Sequence, residues 1–179
     1  NVAKYIIKPS IKNNMKQELQ EIIINTFPEY FGLYNEPVEP GVPFAPIKFG
    51  IECGDGWYWL IHNLIDTIDR YLTDNKHLNI QPIQITQIKE EFGSLRFYYN
   101  GGDELIRGMV WLAESMSYYI CEDCGTTDDI GHTEGWILTV CKNCANTNHS
   151  NLNFKPDSEN IEPNKFFKFK MNSNENLEA

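Results

Sequence analysis

The sequence predicts an α+β protein with three main helices, a β-hairpin and a small C-terminal module built on cysteines. Three observations support this prediction. Apolar residues recur at helical spacing in three stretches, two alternating runs flank a glycine turn, and four of the five cysteines form two Cys-x-x-Cys pairs. We expect a body at 1–120, a module at 121–148 packed on it, and a polar, partly disordered tail at 149–179.

The N-terminal part of the body should hold the first helix. Its apolar positions are spaced by four, four and three residues, and Ser10 is placed to cap it. These positions are Ile11, Met15, Leu19 and Ile22. The helix should end by Pro28, and residues 4–8 before it are predicted as a short strand. The stretch 28–49 is rich in proline and is therefore predicted as an extended surface loop.

A second helix should follow a turn rich in glycine at 50–56. From Trp57, apolar residues fall at 57, 60/61, 64/65, 68 and 71/72, which predicts an amphipathic helix of about four turns. Asp55 is placed to cap it, and it should end near Asp74. Its polar side carries His62, which we expect to face solvent.

Two alternating runs predict the hairpin. The first covers 82–88 and slips by one residue after Ile85, which indicates a β-bulge. The second covers 95–99, and the two strands should join near Gly93. Leu95, Phe97 and Tyr99 are expected on one side of the hairpin.

The third helix should open at Asp103 and present a broad apolar face. Its members are Leu105, Ile106, Met109, Val110, Leu112, Ala113, Met116 and Tyr119/Ile120. The helix continues directly into Cys121. Because no flexible linker separates them, we expect the cysteine module to pack on the body.

The cysteine spacing is typical of a structural zinc site. The pairs Cys121/Cys124 and Cys141/Cys144 are separated by the segment 125–140, which is long enough for a hairpin that brings the second pair back to the first. Four thiolates would hold one Zn²⁺ per chain and leave no position for a reactive water. The order of elements favours a treble clef slightly over a zinc ribbon. A disulfide framework is the alternative, but an odd cysteine, Cys53, suits a reducing compartment better.

Composition limits the partners. A formal charge of −10 discourages contact with nucleic acid or an anionic membrane, and no stretch approaches the roughly 20 apolar residues of a membrane span. Residues 121–179 contain ten acidic and five basic side chains, the wrong sign for a zinc-dependent DNA binder. We therefore expect a cytoplasmic protein, with a nucleic-acid-binding role as a less favoured alternative.

Aromatic and charged residues around the glycine turn and the hairpin suggest a ligand site. The candidates are Glu52, Asp55, Trp57, Lys89, Arg96 and Tyr98. Lys89 and Arg96 beside aromatic rings suit a small anionic, nucleotide-like ligand. An enzyme acting on a nucleotide or nucleic acid through Glu52, Asp55, His62 and Arg96 is the alternative, and Asp55→Asn would then abolish turnover.

Three motifs occur in a fixed order: Glu52-Cys-Gly-Asp-Gly-Trp57, Lys89-Glu-Glu-Phe-Gly-Ser-Leu-Arg-Phe-Tyr98, and Cys121-x-x-Cys124 with Trp136 before Cys141. Together they resemble a family of small proteins encoded by bacteriophages and prophages, over roughly residues 28–145. Glu91 and Ser94 stand where the family pattern has Lys and Gly. The resemblance implies a phage-type protein in a bacterial cytoplasm and supplies no reaction. We expect a non-catalytic accessory protein that binds a host protein or a small nucleotide-like ligand and counters host defence.

Overall fold

The computed structural model describes residues 14–36 and 45–157. Within these residues the protein is a mixed α+β structure with five α-helices and two three-stranded sheets. The α-helices are α1 (Gln17–Thr26), α2 (Gly32–Asn35), α3 (Tyr58–Asp74), α4 (Glu104–Ser117) and α5 (Lys142–Asn148). The strands are β1 (Ile51–Glu52), β2 (Gln84–Glu91), β3 (Ser94–Asn100), β4 (Ile130–Thr133), β5 (Thr139–Cys141) and β6 (Phe154–Pro156).

The body contains a sheet in the order β1-β2-β3. β2 and β3 form the predicted antiparallel hairpin, and the register shifts between Ile85 and Gln87, as the slip in the sequence indicated. β1 pairs with β2 in parallel. This strand is not predictable from the sequence, because two residues are too few to show an alternating pattern.

The turn of the hairpin consists of Phe92 and Gly93. Both have positive φ, 53° and 77°, as a two-residue type I′ turn requires. Glycine adopts this conformation freely, whereas Phe92 adopts it at a conformational cost. The predicted junction at Gly93 is therefore confirmed, with an aromatic residue beside it.

The helices α3 and α4 form where the periodicity predicts them, and α4 packs on β3 and on α3. The carboxylate of Asp103 accepts hydrogen bonds from the backbone N–H groups of Leu105 and Ile106, so it caps α4 as predicted. The apolar face of α4 is narrower than predicted. Ile106, Val110 and Ala113 are buried. A second row of apolar residues on the same helix, Leu105, Leu112 and Met116, is exposed, as is Tyr119 just beyond the helix end.

Two predictions for the N-terminal region were wrong. α1 begins at Gln17 and not near Ser10, because the backbone N–H of Met15 binds the Ile51 carbonyl instead of a helical acceptor and Lys16 has non-helical φ and ψ. In the predicted loop 28–49, the described residues contain α2 and the 3₁₀ turns Pro28–Phe31 and Pro46–Phe49, and the part at 37–44 lies outside the described residues. Prolines start these turns, and Tyr30, Phe31 and Ile47 fill the core. The predicted strand at 4–8 and the Ser10 cap lie outside the described residues.

A second, smaller cluster of buried residues includes three of the cysteines. It lies between the sheet β5-β4-β6 and α5. The first part of the polar C-terminal region contributes to it, because β6 pairs with β4 and the His149 side chain is buried. None of the described helices is both long and apolar enough to cross a bilayer.

Candidate metal centre and neighbouring surfaces

The four predicted cysteines converge. The Sγ atoms of Cys121, Cys124, Cys141 and Cys144 all lie within 4.8 Å of one another, and those of Cys124 and Cys141 are 3.8 Å apart. A tetrahedron with Zn–S bonds of about 2.3 Å has sulfur–sulfur edges of about 3.8 Å. The donor set therefore fits a four-coordinate, structural metal ion.

The two cysteine pairs lie on different local structures. The first pair lies on a tight turn in which the Gly125 N–H binds the Cys121 carbonyl, and Gly125 takes φ 78°, a conformation that favours glycine. The second pair starts α5: the Cys141 sulfur accepts the Cys144 N–H at 3.4 Å and so serves as the N-cap. The hairpin β4–β5 connects the two, so the order is turn, hairpin, helix.

The start of α5 favours a thiolate at Cys141. Burial opposes ionisation there, but the backbone N–H of Cys144 and the neighbouring thiols lower the pKa of Cys141 below its ordinary value. A thiolate is the form that binds a metal.

A buried hydrogen bond between His149 and Asp123 supports the first cysteine pair. His149 Nε2 lies 2.9 Å from an Asp123 carboxylate oxygen, and both side chains are largely buried. Asn148 donates to the same oxygen at 2.8 Å. Asp123 lies between the two cysteines of the first pair, so these contacts fix the cysteine turn against the C-terminal end of α5.

The glycine motif of the body packs directly on the cysteine turn. The Gly54 N–H binds Glu122 Oε1 at 2.9 Å, and the Gly56 N–H binds the Glu122 carbonyl at 2.7 Å. A Cβ at Gly56 would lie far inside van der Waals distance of the Cys121 carbonyl oxygen. Neither Gly54 nor Gly56 has positive φ, so their backbone conformation does not require glycine. Glycine is needed because a side chain would block the close approach of the two backbones.

The hairpin motif of the body contacts the cysteine turn indirectly, through Thr139 of the module. The Thr139 hydroxyl donates to the Gly93 carbonyl at 2.5 Å, and the Thr139 carbonyl accepts the Glu122 N–H at 2.9 Å. The Trp57 indole N–H binds the Ile120 carbonyl at 2.9 Å. All three sequence motifs therefore meet where the body joins the cysteine module.

Glu122 lies at the centre of this junction and is fully buried. Its Oε2 atom has no hydrogen-bond partner among the described residues. Burial and then the nearby carboxylate of Glu90 raise the pKa of Glu122 to about 8. Burial likewise raises the pKa of the Cys53 thiol well above its ordinary value, so Cys53 is an unreactive core residue.

Four of the predicted ligand residues share one face of the body sheet. Glu52, Lys89 and Arg96 lie side by side across the three strands, and the Tyr98 ring lies under the Lys89 ammonium. Glu91 lies beside both cations: its carboxylate is 2.9 Å from Lys89 and 3.8 Å from Arg96. The hydrogen bond between Lys89 and Glu91 raises the pKa of Lys89 and lowers that of Glu91.

The other predicted site residues lie elsewhere. Trp57 is fully buried. Asp55 does not cap α3; its two carboxylate oxygens bind the Lys16 N–H and ammonium, each at 2.8 Å, at the start of α1. His62 lies among the rings of Phe27, Tyr58 and Trp59 instead of facing solvent freely. The structure therefore does not bring the proposed catalytic set Glu52, Asp55, His62 and Arg96 into one cleft.

A groove of 820 Å³, which the sequence analysis did not anticipate, lies between α1, α3 and α4. Its lining is mainly apolar and includes Ile22, Trp59, Leu112 and Met116, all of which are exposed. Cys124 and Gly125 of the cysteine turn also line it. The second row of apolar residues on α4 was the signal for this groove, but from sequence alone it was indistinguishable from core.

No protein family, curated protein or solved structure matches the chain. Its function must therefore be argued from the cysteine cluster, the junction and the exposed surfaces.

Proposed function

We propose that the chain is a non-catalytic binding protein stabilised by one structural Zn²⁺. The observation that carries this proposal is the closed set of four sulfur donors within 4.8 Å of one another. Soft thiolates in tetrahedral spacing suit zinc, and four protein ligands leave no position for an activated water. The turn, hairpin and helix that carry them are the arrangement of a treble clef.

The junction supports a structural role for the metal. Glu122 of the cysteine turn accepts hydrogen bonds from the body, through its side chain from Gly54 and through its carbonyl from Gly56. Holding Cys121 and Cys124 on a metal would therefore also hold the glycine motif in place. On this proposal, the metal fixes the relation between body and module.

A protein partner fits the exposed surfaces better than a nucleotide-like ligand does. The cations on the sheet face, Lys89 and Arg96, already lie beside Glu91, so a phosphate would compete with an internal carboxylate. The exposed apolar side chains of the groove are suited to contact with another protein. The resemblance of the three motifs supports a phage-type accessory protein, so we propose a bacterial host protein as the partner and interference with host defence as the purpose.

Native mass spectrometry of the untagged chain tests the metal. We expect one zinc per chain, retained in Cys53→Ala and reduced at least tenfold in occupancy in Cys144→Ser. Cys53 is the matched control because it is a buried cysteine outside the cluster. A chain without metal, or equal loss of metal in both variants, would overturn the proposal. The same spectra would show any retained protein or small molecule.

A further inference from the structure

We propose that the groove between α1, α3 and α4 is a docking site for a basic amphipathic helix of a partner protein. This inference rests on the proposed function, because it names the class of partner that the binding protein would take.

The walls of the groove suit a helical segment better than an extended one. They are side chains of three helices, whose backbone groups are already paired within the helices. An extended segment lying there would leave its own N–H and C=O groups unpaired against apolar surface, at a cost of a few kcal/mol each. A helix pairs these groups internally. The lining residues of α4 run from Met109 to Met116, about 12 Å, which matches roughly two turns of a partner helix.

The chemistry of the lining indicates apolar anchors. Trp59 and Leu112 are 66% and 61% exposed, and each contributes to the groove wall. Met109 and Met116 line the same wall, and their flexible thioethers adapt to different side chains. Leu or Phe residues at positions i, i+3, i+4 and i+7 of a helix would reach this surface together.

The charge around the groove indicates that the outer face of that helix is basic. Among the described lining residues Asp55 is the charged one, and none is Lys, Arg or His. The Asp55 carboxylate already pairs with Lys16, just before α1, so the net negative charge beside the groove comes from α1 itself. α1, which forms one wall, carries Glu18 and Glu21 beside its lining residues and has no basic side chain. Lysine stems can cover apolar rims while their ammonium groups reach such carboxylates.

The same charges disfavour a second copy of this chain as the occupant. The chain has a formal charge of −10. A symmetric pairing through the groove would bring acidic α1 flanks of two copies close to each other. Such like-charge contacts are unfavourable.

The test uses a synthetic peptide as the probe. The probe is a capped peptide of 14 residues, made only of Leu and Lys, with Leu at i, i+3, i+4 and i+7. A control peptide of the same composition alternates Leu and Lys at strand period. Fluorescence anisotropy with the full zinc-loaded chain, at an ionic strength of about 0.15 M to screen surface charge, should show at least tenfold tighter binding of the helical peptide.

Two chain variants locate the site. Leu112→Asp should weaken binding of the helical peptide at least tenfold, and Leu105→Asp should change it less than twofold. Both residues are exposed on α4, but Leu105 lies outside the groove lining. Circular dichroism and zinc content should match the parent chain in both variants, which excludes unfolding as the cause.

Three results would overturn the inference. Equal binding of the two peptides would show charge attraction only, and equal effects of the two variants would place the peptide elsewhere. If light scattering shows a dimer that Leu112→Asp converts to a monomer, the groove holds a second copy. Each of these results leaves the metal test untouched, so failure of the docking site is distinguishable from failure of the proposed function.

Discussion

At the scale of single residues, glycines decide how closely the body approaches the cysteine turn. Gly56 lies against the backbone of Cys121, Glu122 and Gly125. Gly108, in contrast, lies exposed within α4 with nothing within 4 Å of an added Cβ. The two positions have the same side chain and opposite surroundings, so alanine should have opposite effects.

We expect Gly56→Ala to lower the free energy of unfolding by about 2–3 kcal/mol, because backbone must move to admit the methyl group. Gly108→Ala should raise it by about 1 kcal/mol, since alanine favours a helix over glycine. Urea denaturation of the metal-loaded chain measures both. A neutral Gly56→Ala variant would contradict the close packing at the junction.

The sequence predicted the four-cysteine cluster but not the junction. Cysteine spacing is a local signal, because two residues between ligands produce a turn of known geometry. Glu122 gave no such signal: an acidic residue between two cysteines is ordinarily exposed, and only the tertiary contact with Gly54 and Gly56 explains its burial. The sequence likewise does not reveal which aromatic residues are buried, so the prediction of Trp57 as a ligand residue was wrong.

At the scale of elements, the turn of the β2–β3 hairpin has a backbone conformation that suits Gly93 but not Phe92. Phe92 is 73% exposed and has positive φ, so its ring gains little burial while its backbone is strained. Gly93 has positive φ as well, and a Cβ there would lie 2.9 Å from Ile137 Cγ2. Neighbouring positions in one turn should therefore respond differently to substitution.

We expect Phe92→Asn to raise the free energy of unfolding by about 1 kcal/mol, because asparagine tolerates the left-handed conformation better. Gly93→Ala should lower it, through both backbone strain and the contact with Ile137. Chemical denaturation monitored by circular dichroism measures both variants. Destabilisation by Phe92→Asn would show that the exposed ring makes a stabilising contact.

Elements with a clear period were predictable. α3, the bulged hairpin and the capped α4 each extend over enough residues to show their spacing. β1 and the helical turns at 28–35 and 46–49 are too short to show one, and their proline content suggested a loop. Their conformation depends on tertiary contacts, such as the hydrogen bond between Met15 and Ile51.

At the scale of the whole molecule, the metal centre and the body share one network of hydrogen bonds. The Gly54 and Gly56 amides of the body donate to Glu122 of the cysteine turn, and the amide of Glu122 donates to Thr139 of β5. The cysteine turn is short and carries two of the proposed ligands. Without a metal, the four thiols, which lie within 4.8 Å of one another, would make only weak contacts that do little to hold this turn in place.

Metal removal should therefore loosen part of the body as well as the module. With hydrogen exchange measured before and after chelation, we expect the amides of Gly54 and Gly56 to exchange at least tenfold faster, together with those of Glu122 and Gly125. Amides in the β2–β3 ladder should keep most of their protection, because their partners lie within the body. If Gly54 and Gly56 stay protected while the cysteine turn opens, the body positions its glycine motif independently of the metal, and the metal stabilises the module alone.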